Sequence, residues 1–336
     1  MYIAAKTNQP GAMMRSNKIH NEDLFTHAAN QNYKKHIKTQ SKKALEIIKE
    51  KVDWDALAAP LAEKITQSKQ PKSPAGRRSF PLVTIIRCFI LQRIYHLSDP
   101  RLEEEIADRR SFQIFLDLSS ADSIPDETTI CRYRELFARL GLDKEMFKLY
   151  KQQLKANGLI IGKGTLVDAT IKQAQSKPAS KRDTDAKFTK KRGKNYYGYK
   201  GHIGSDADTN VIHSVEFTPA NVHDSTVFDD LITGKEKAVW GDKGYANQSR
   251  KRKLRSQGVF CGILDKGYRN RPLGTKQKRR NKKLSSVRNA VERPFAFMKH
   301  VLGDDRCSYY DQDRNRFEFM MSAIVYNMRC AITQSA

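Results

Sequence analysis

The stretch Gly164-Thr-Leu-Val-Asp168-Ala-Thr170 is where the sequence changes from a helical to a β pattern. A helical run ends just before it at Asn157-Gly158, and runs rich in β-branched and aromatic residues follow it. Short helical segments are expected between the later runs. We therefore predict an α/β part with a mixed five-stranded sheet and flanking helices. The further strands are expected at residues 196–203, 211–217, 237–241 and 258–264, and one short helix at 227–232.

Helical periodicity dominates the chain before Gly158. Apolar residues recur at helical intervals from Lys42 to Ile65, where Pro60 is expected to interrupt the pattern. A second apolar stripe runs from Leu82 to Ile94, and Asp99-Pro100 is expected to cap the next helix. We therefore predict three segments along the chain. They are a poorly ordered arm at residues 1–40, an all-α domain at 41–158 and the sheet-containing domain at 159–336.

One predicted helix presents a polar face. Asp126 is expected to cap it and Gly141 to end it, and its outward side carries Thr128 and Arg132. Short helices followed by a capped final helix are compatible with a helix-turn-helix unit, whose last helix enters the major groove of DNA. A purely structural bundle shares this pattern. Thr128 and Arg132 are accordingly candidate DNA contacts, with a structural role as the alternative.

The charge of the chain points toward a polyanionic partner. Sixty-two Lys and Arg face 37 Asp and Glu, giving a net charge of +25 and a pI near 9.8. A ribosome-like or merely soluble basic protein would also fit these values. No acid occurs from Lys266 to Val291, a stretch that includes the candidate phosphate contacts Lys278, Arg279 and Arg280. Charge indicates nucleic acid, but it does not indicate an enzyme.

Three widely separated acids suggest metal-dependent chemistry on that polymer. Asp168 and Asp242 end strand-like runs, and Glu292 lies in a helical stretch between Arg288 and Lys299. Mg²⁺ prefers oxygen ligands, and two such ions can assist attack on a phosphodiester. Taken singly, an aspartate after a strand is more often a turn or cap residue. Arg288 and Lys299 are either phosphate contacts or helix-face partners of Glu292.

Other polar residues have less certain roles. Pro294 should break the helix near Ala290, which leaves the direction of the Lys299 side chain open. Lys200 and His202 are candidate DNA contacts, or they simply alternate along a strand. The polar cluster after the third strand has no partner histidines at metal-ligand spacing, so a structural or phosphate-contact role is expected. Its members are Asn221, His223 and Asp224.

In this order, the acids and their surroundings resemble the DDE transposases of bacterial insertion sequences, specifically the insertion sequence five family of the insertion sequence four/five superfamily. The resemblance covers roughly residues 75 to 330. One position departs from the family pattern, because Ser285 stands where the family often has Tyr, three residues before Arg288. The matching stretches are V-D168-A-T, G-D242-K-G-Y, R288-x3-E292-x6-K299, Ser111-Phe-Gln-Ile-Phe115, Gly198-Tyr-Lys-Gly-His202 and Thr218-Pro-Ala-Asn-Val-His-Asp-Ser225.

The resemblance implies a ribonuclease H-like catalytic domain and a specific chemistry. Asp168, Asp242 and Glu292 would be catalytic and would bind two Mg²⁺ ions, for which Mn²⁺ should substitute. Asp168 would be shared between the metals. Water would release a 3′-OH at the element end, and this hydroxyl would attack target DNA. The implied partners are the terminal inverted repeats, target DNA and a second copy of the chain in a homodimer. The alternatives are a transposase-derived regulator that binds without cutting, and a structure-specific nuclease.

The remaining composition suits an intracellular globular protein. Hydrophobic residues make up 39% of the 336, enough for a sizeable core. The five cysteines lie far apart and form no C-x-x-C pair, so neither a zinc site nor a disulfide framework is expected. No signal peptide or membrane span is evident. We expect a cytoplasmic, nucleoid-associated protein with no membrane partner.

Overall fold

The computed structural model describes residues 40–68, 79–119, 121–176, 182–191 and 193–334, together with Gln31, Tyr33 and Pro178. Almost all of the arm predicted at residues 1–40 therefore lies outside the described residues. The described segments before residue 158 are mainly helical. Its helices are α1 (Gln40–Lys51), α2 (Trp54–Ser68), α3 (Leu82–Tyr95), α4 (Asp99–Asp108), α5 (Arg110–Leu116), α6 (Glu127–Leu140) and α7 (Leu142–Ala156).

Local signals set several of these helix ends. At the start of α6, the Asp126 carboxylate accepts the Thr129 N–H at 2.6 Å, and Gly141 ends the helix with φ of 64°, so both predicted signals are confirmed. The cap of α4 is Ser98, whose hydroxyl accepts the Arg101 N–H; the prediction of Asp99 was one residue late. In this helix Asp99 occupies the first helical position.

The predicted interruption at Pro60 was wrong. Helix α2 continues through Pro60, which removes one backbone donor from the helix interior. Leu57 and Leu61, on either side of the proline, are completely buried. Packing of this face therefore outweighs the missing hydrogen bond.

The second half of the chain is built on a sheet with the strand order of a ribonuclease H-like fold. Strand β1 pairs antiparallel with β3 and parallel with β5, and β6 extends the sheet parallel to β5. Strand β4 pairs antiparallel with β3, which gives the order β4-β3-β1-β5-β6. The strands are β1 (Gly164–Gln173), β2 (Lys187–Lys191), β3 (Lys194–Asp206), β4 (Ile212–Pro219), β5 (Ala238–Gly241) and β6 (Phe260–Ile263).

Two features of the sheet differ from the prediction. Strand β1 does not end at Asp168 but continues to Gln173, where the buried cation Lys172 hides the apolar pattern of a strand. Strand β2 was not predicted at all. Its sequence Lys-Phe-Thr-Lys-Lys lies on the surface and is held by backbone pairing with the first part of β3. Neither segment carries the apolar alternation that reveals a half-buried strand.

Helices cover the sheet, and the last one also packs on the helical half. Phe317 of the last helix contacts Phe89 of α3, with ring centroids 5.0 Å apart, while Phe319 contacts Phe217 of β4 at 5.7 Å. None of the helices in the described ranges is long and apolar enough to cross a lipid bilayer. The helices of this half are α8 (Phe228–Leu231), α9 (Gln248–Ser256), α10 (Thr275–Arg288), α11 (Glu292–His300) and α12 (Gln312–Thr333).

Candidate active site

Asp168 lies in the middle of the central strand β1, opposite Ile203 of β3. One carboxylate oxygen accepts the N–H of Ala169 at 2.9 Å, and the other is 3.2 Å from Nη1 of Arg288. Burial raises the pKa of Asp168, as does the charge of Asp242, while Arg288 and the Ala169 N–H act against this rise. A carboxylate held this way is fixed in position and largely shielded from water.

Asp242 follows β5, the parallel neighbour of β1, as predicted from the sequence. It precedes a short 3₁₀ turn, Lys243–Tyr245, which buries the Tyr245 ring. The Tyr245 hydroxyl is buried and has no hydrogen-bond partner within the described chain. Burial raises the pKa of Tyr245, and the charges of Asp168, Asp224 and Asp242 raise it further. The hydroxyl therefore lies in an acidic neighbourhood that offers it no protein acceptor.

Asp224 is a fourth acid at this site, for which the sequence predicted a structural or phosphate-contact role and not a place beside the other acids. Its carboxylate accepts a hydrogen bond from the Lys200 ammonium at 2.8 Å. Its other oxygen lies 3.8 Å from where a Cβ on Gly244 would stand, next to the Asp242 turn. The sequence feature that contains Asp224 is the stretch Thr218-Pro-Ala-Asn-Val-His-Asp-Ser225. The residues around Asp224 in this stretch do not have the spacing of a metal-binding motif.

The helical stretch around Glu292 is broken, as Pro294 predicted. Helix α10 ends at Arg288, a 3₁₀ turn spans Asn289–Val291, and α11 begins at Glu292. The Arg288 guanidinium lies between two acids: Nη1 reaches Asp168, and Nη2 is 3.5 Å from Oε1 of Glu292. Glu292 itself is 64% exposed. The structure thus ties the helical acid to the acid of the central strand through one arginine.

A divalent ion can be tested against this arrangement. Among the residues that the structure describes, no three or more His, Cys, Asp or Glu side chains are close enough to hold a metal ion together. Arg288 supplies the positive charge between Asp168 and Glu292 instead. The donors are nevertheless carboxylates, the ligands that Mg²⁺ prefers, and an orphaned hydroxyl adjoins them. The residues fit a divalent ion in kind, provided that Arg288 is displaced.

Comparisons with known proteins identify the family. A model described as "Transposase DDE domain" matches residues 162–328, which contain Asp168, Asp242 and Glu292. A second model, "Transposase domain (DUF772)", matches residues 31–136. This chain belongs to the DDE transposases. Such a transposase is a nucleotidyl-transfer enzyme of a group that uses divalent metal ions.

One solved structure shares a distant likeness with this transposase. It is the cryo-EM structure of a piggyBac transposase synaptic complex with hairpin DNA. The identity is 11%, the TM-score is 0.40, and the match covers 86% of this chain and 74% of the other. The family membership rests on the two family models, not on this likeness.

The predicted DNA contacts of the transposase fall into two groups. Thr128 and Arg132 are exposed on α6, and Lys278 and Arg279 are exposed on α10. Lys299 is half-buried beside Lys191. These five side chains, together with Arg288 at the acidic site, can be reached from solvent. Their position allows a contact with a large anionic ligand.

The other group is engaged within the protein. His202 has no exposed surface, and its Nε2 is 2.9 Å from the Thr218 hydroxyl, so this geometry argues against a direct contact with DNA. Lys200 donates to Asp224 and to the Val222 carbonyl oxygen. Arg280 donates to Asp265 and to two backbone carbonyl oxygens of β6. Alternation along β3 and a run of charge do not reveal these internal partners.

Proposed function

We propose that this transposase belongs to the insertion sequence five family and moves its own element. It would cleave phosphodiester bonds at the element ends to give 3′-OH ends, and join these ends to target DNA. The observation that supports the proposal is that Arg288 pairs with both Asp168 and Glu292, while the charge of Asp242 also acts on Asp168. The stretches shared with that family, including Gly198-Tyr-Lys-Gly-His202, support the finer assignment.

In this proposal the three acids hold two Mg²⁺ ions, and Mn²⁺ substitutes for them. Bound ions would supply charge stabilisation for the attacking and leaving oxygens. Asp168 would be one of the residues that hold the ions, and it is kept in place by its strand and by the Ala169 N–H. Arg288 pairs with Asp168 and Glu292. Ions that bind to these carboxylates would release the Arg288 guanidinium, which could then contact a DNA phosphate.

The reaction has two displacements at phosphorus. In the first, a water oxygen bonds to phosphorus, the bond to the 3′ oxygen breaks, and that oxygen takes a proton to become a 3′-OH. In the second, this hydroxyl oxygen bonds to a target phosphorus, its proton is lost, and a target 3′ oxygen leaves. Both steps need the DNA to be held against a strongly acidic site. The exposed cations Lys278 and Arg279 and the half-buried Lys299 offset that repulsion.

The proposal assigns separate tasks along the chain. Residues 1–40 are an arm, 41–158 bind the element ends, and 159–336 carry out catalysis. Thr128 and Arg132 on α6 would read the terminal repeats. Two ends must be joined in one event, so we propose a homodimer in the synaptic complex. With DNA as its substrate, the protein would work at the bacterial nucleoid, in the cytoplasm.

The experiment uses a plasmid that carries the DNA flanking this gene. Native protein is compared with Asp168→Asn, Asp242→Asn and Glu292→Gln, with Mg²⁺ and with EDTA. The matched control is Asp208→Asn, which neutralises an exposed acid in the turn after β3. Native protein and control should cut at the element ends and join them with Mg²⁺ only. The three site variants should bind the same DNA without cutting it.

Other outcomes decide between the alternatives. Binding of the flanking DNA without Mg²⁺-dependent cleavage by the native protein would mean a regulator. Cleavage without preference for the element ends, and without joining, would mean a structure-specific nuclease. Unchanged cleavage by all three site variants would show that these acids are not needed for cleavage.

A further inference from the structure

A cavity of about 630 Å³ opens at the far end of β1, beyond the acidic site. Its walls come from the last residues of β1, the β2–β3 hairpin and the segment around α11 and its end. The volume lies within the range of ligand-binding sites. The lining residues are Ile171, Gln173, Lys191, Tyr196, Lys299, Asp305 and Arg306.

The charges in this pocket are unbalanced. Lys191, Lys299 and Arg306 face one carboxylate, that of Asp305, and none of the three cations forms an ion pair with a residue that the structure describes. Partial burial, and then the neighbouring Lys191, lower the pKa of Lys299. Like charges gathered in a concave site are unfavourable on their own. The arrangement therefore favours an anionic ligand.

The positions of these cations are built into the fold. The Cys307 N–H donates to the Gln173 carbonyl oxygen at 2.8 Å, which ties the segment after α11 to the end of β1. Asp304 and Cys307 on this segment are buried, whereas Arg306 between them is exposed. On the opposite wall, Lys191 ends strand β2 and pairs in register with the start of β3. Backbone pairing thus fixes the main-chain positions from which the exposed side chains of Lys191 and Arg306 extend.

The pocket also adjoins the candidate active site. The charges of Lys191 and Lys299 both act on Asp168. Ile171 and Gln173 lie three and five residues beyond Asp168 on the same strand. At about 3.3 Å per residue this is about 10–17 Å. For DNA whose axis runs along β1, with an axial rise of about 3.4 Å per nucleotide, this distance corresponds to about three to five nucleotides.

We propose that this pocket holds backbone phosphates of the DNA strand that is cut, about three to five nucleotides from the scissile phosphate. Lys191 and Arg306 are the new contacts, and Lys299 completes the group. Tyr196 offers a hydroxyl donor at the same wall. The inference rests on the proposed function and adds to it the path of the substrate strand away from the acids.

The test compares Lys191→Gln/Arg306→Gln with Lys163→Gln/Lys235→Gln. The control pair removes the same charge from exposed side chains at the other end of the sheet, about one β1 length or about 30 Å away. Binding to the flanking duplex is measured in EDTA across a salt series. Phosphate-ethylation interference on the same duplex then locates the contacts. Loss of two phosphate contacts on a duplex should flatten the salt slope by about 1.8.

The expected result is a flatter slope and the loss of interference at phosphates close to the cleavage position, only in the pocket variant. An unchanged slope and interference pattern would overturn the inference, even if the native protein cuts and joins DNA. If the native protein never cuts but the pocket variant alone loses the phosphate contacts next to the element end, the pocket stands and the proposed catalysis fails. If both double variants lost the same amount of salt slope and phosphate interference, the cause would be the total charge of the protein. That result would also overturn the inference.

Discussion

Replacement of Lys172 by Met should destabilise the protein strongly, because it unbalances a buried group of four charges. The Lys172 side chain is completely buried and pairs with Asp304, which is 1% exposed. Arg93 of α3 lies 2.9 Å from Asp304 and 2.9 Å from Glu318 of α12. The group therefore joins the central strand, a helix of the first half and the last helix. Two cations and two carboxylates balance each other within it.

The size of the stability loss follows from the charges that remain buried after the substitution. After Lys172→Met, two buried carboxylates share one guanidinium, while the Met side chain keeps much of the apolar stem. Removing one partner of a buried ion pair costs about 3–5 kcal/mol. Arg93 still bonds both carboxylates, so we expect a loss of about 3 kcal/mol in the free energy of unfolding.

Urea unfolding followed by tryptophan fluorescence can measure this loss. The two tryptophans, Trp54 in α2 and Trp240 in β5, report one half of the chain each. The double variant Lys172→Met/Asp304→Asn restores charge balance and should recover part of the stability. A loss below about 1 kcal/mol for Lys172→Met, or a double variant no more stable than the single one, would refute the reasoning.

Three further predictions concern other parts of the molecule. Burial lowers the pKa of His213 from 6.5 to about 4 in the folded protein. As the pH falls, the unfolded chain therefore takes up this proton first. Stability on the order of 3 kcal/mol should be lost between about pH 6.5 and 4. His213→Gln should weaken that dependence in urea titrations at each pH. Tyr245→Phe removes an orphaned buried hydroxyl, so the free energy of unfolding in urea should stay equal or rise; a loss of more than about 1 kcal/mol would show that the hydroxyl has a stabilising partner. Gly201→Ala places a Cβ 2.2 Å from Phe319 and should cost about 1–3 kcal/mol in thermal or urea unfolding. An unchanged midpoint would show that the Phe319 ring moves freely.

Sequence patterns predicted most of the fold where local chemistry decides it. The Asp126 cap, the Gly141 end and the break before Pro294 all depend on backbone groups within a few residues, and each is present. Lys172 and His202 were unpredictable for the opposite reason. Their partners lie 132 and 16 residues away. A buried charge looks like a surface charge in a sequence until its partner is known.

In the candidate site, too, some residues could be predicted from the sequence and others depend on contacts between distant segments. Motif order pointed to both Asp168 and Asp242, but the predicted strand end was right only for Asp242, since β1 continues past Asp168; the charge of Asp242 acts on Asp168. Asp224 and the orphaned Tyr245 hydroxyl come close only because two turns meet beside β1. Their roles, like those of the three acids, stay predictions. The spacing of residues in the sequence does not show that two separate turns lie close together in the fold.

The position of α12 has a consequence for synthesis on the ribosome. Phe89 and Phe137 contact Phe317, which is made about 180 residues after Phe137, a delay of about ten to forty seconds at about 5–20 residues per second. During that time the helical half lacks one wall of its core, and the sheet lacks Phe319 against Phe217. A chain interrupted before residue 312 would leave both halves incomplete, which can be checked by the protease sensitivity of such a truncated chain. An element copy that loses this last helix should therefore produce neither a cutting enzyme nor a stable DNA-binding competitor of its intact relatives.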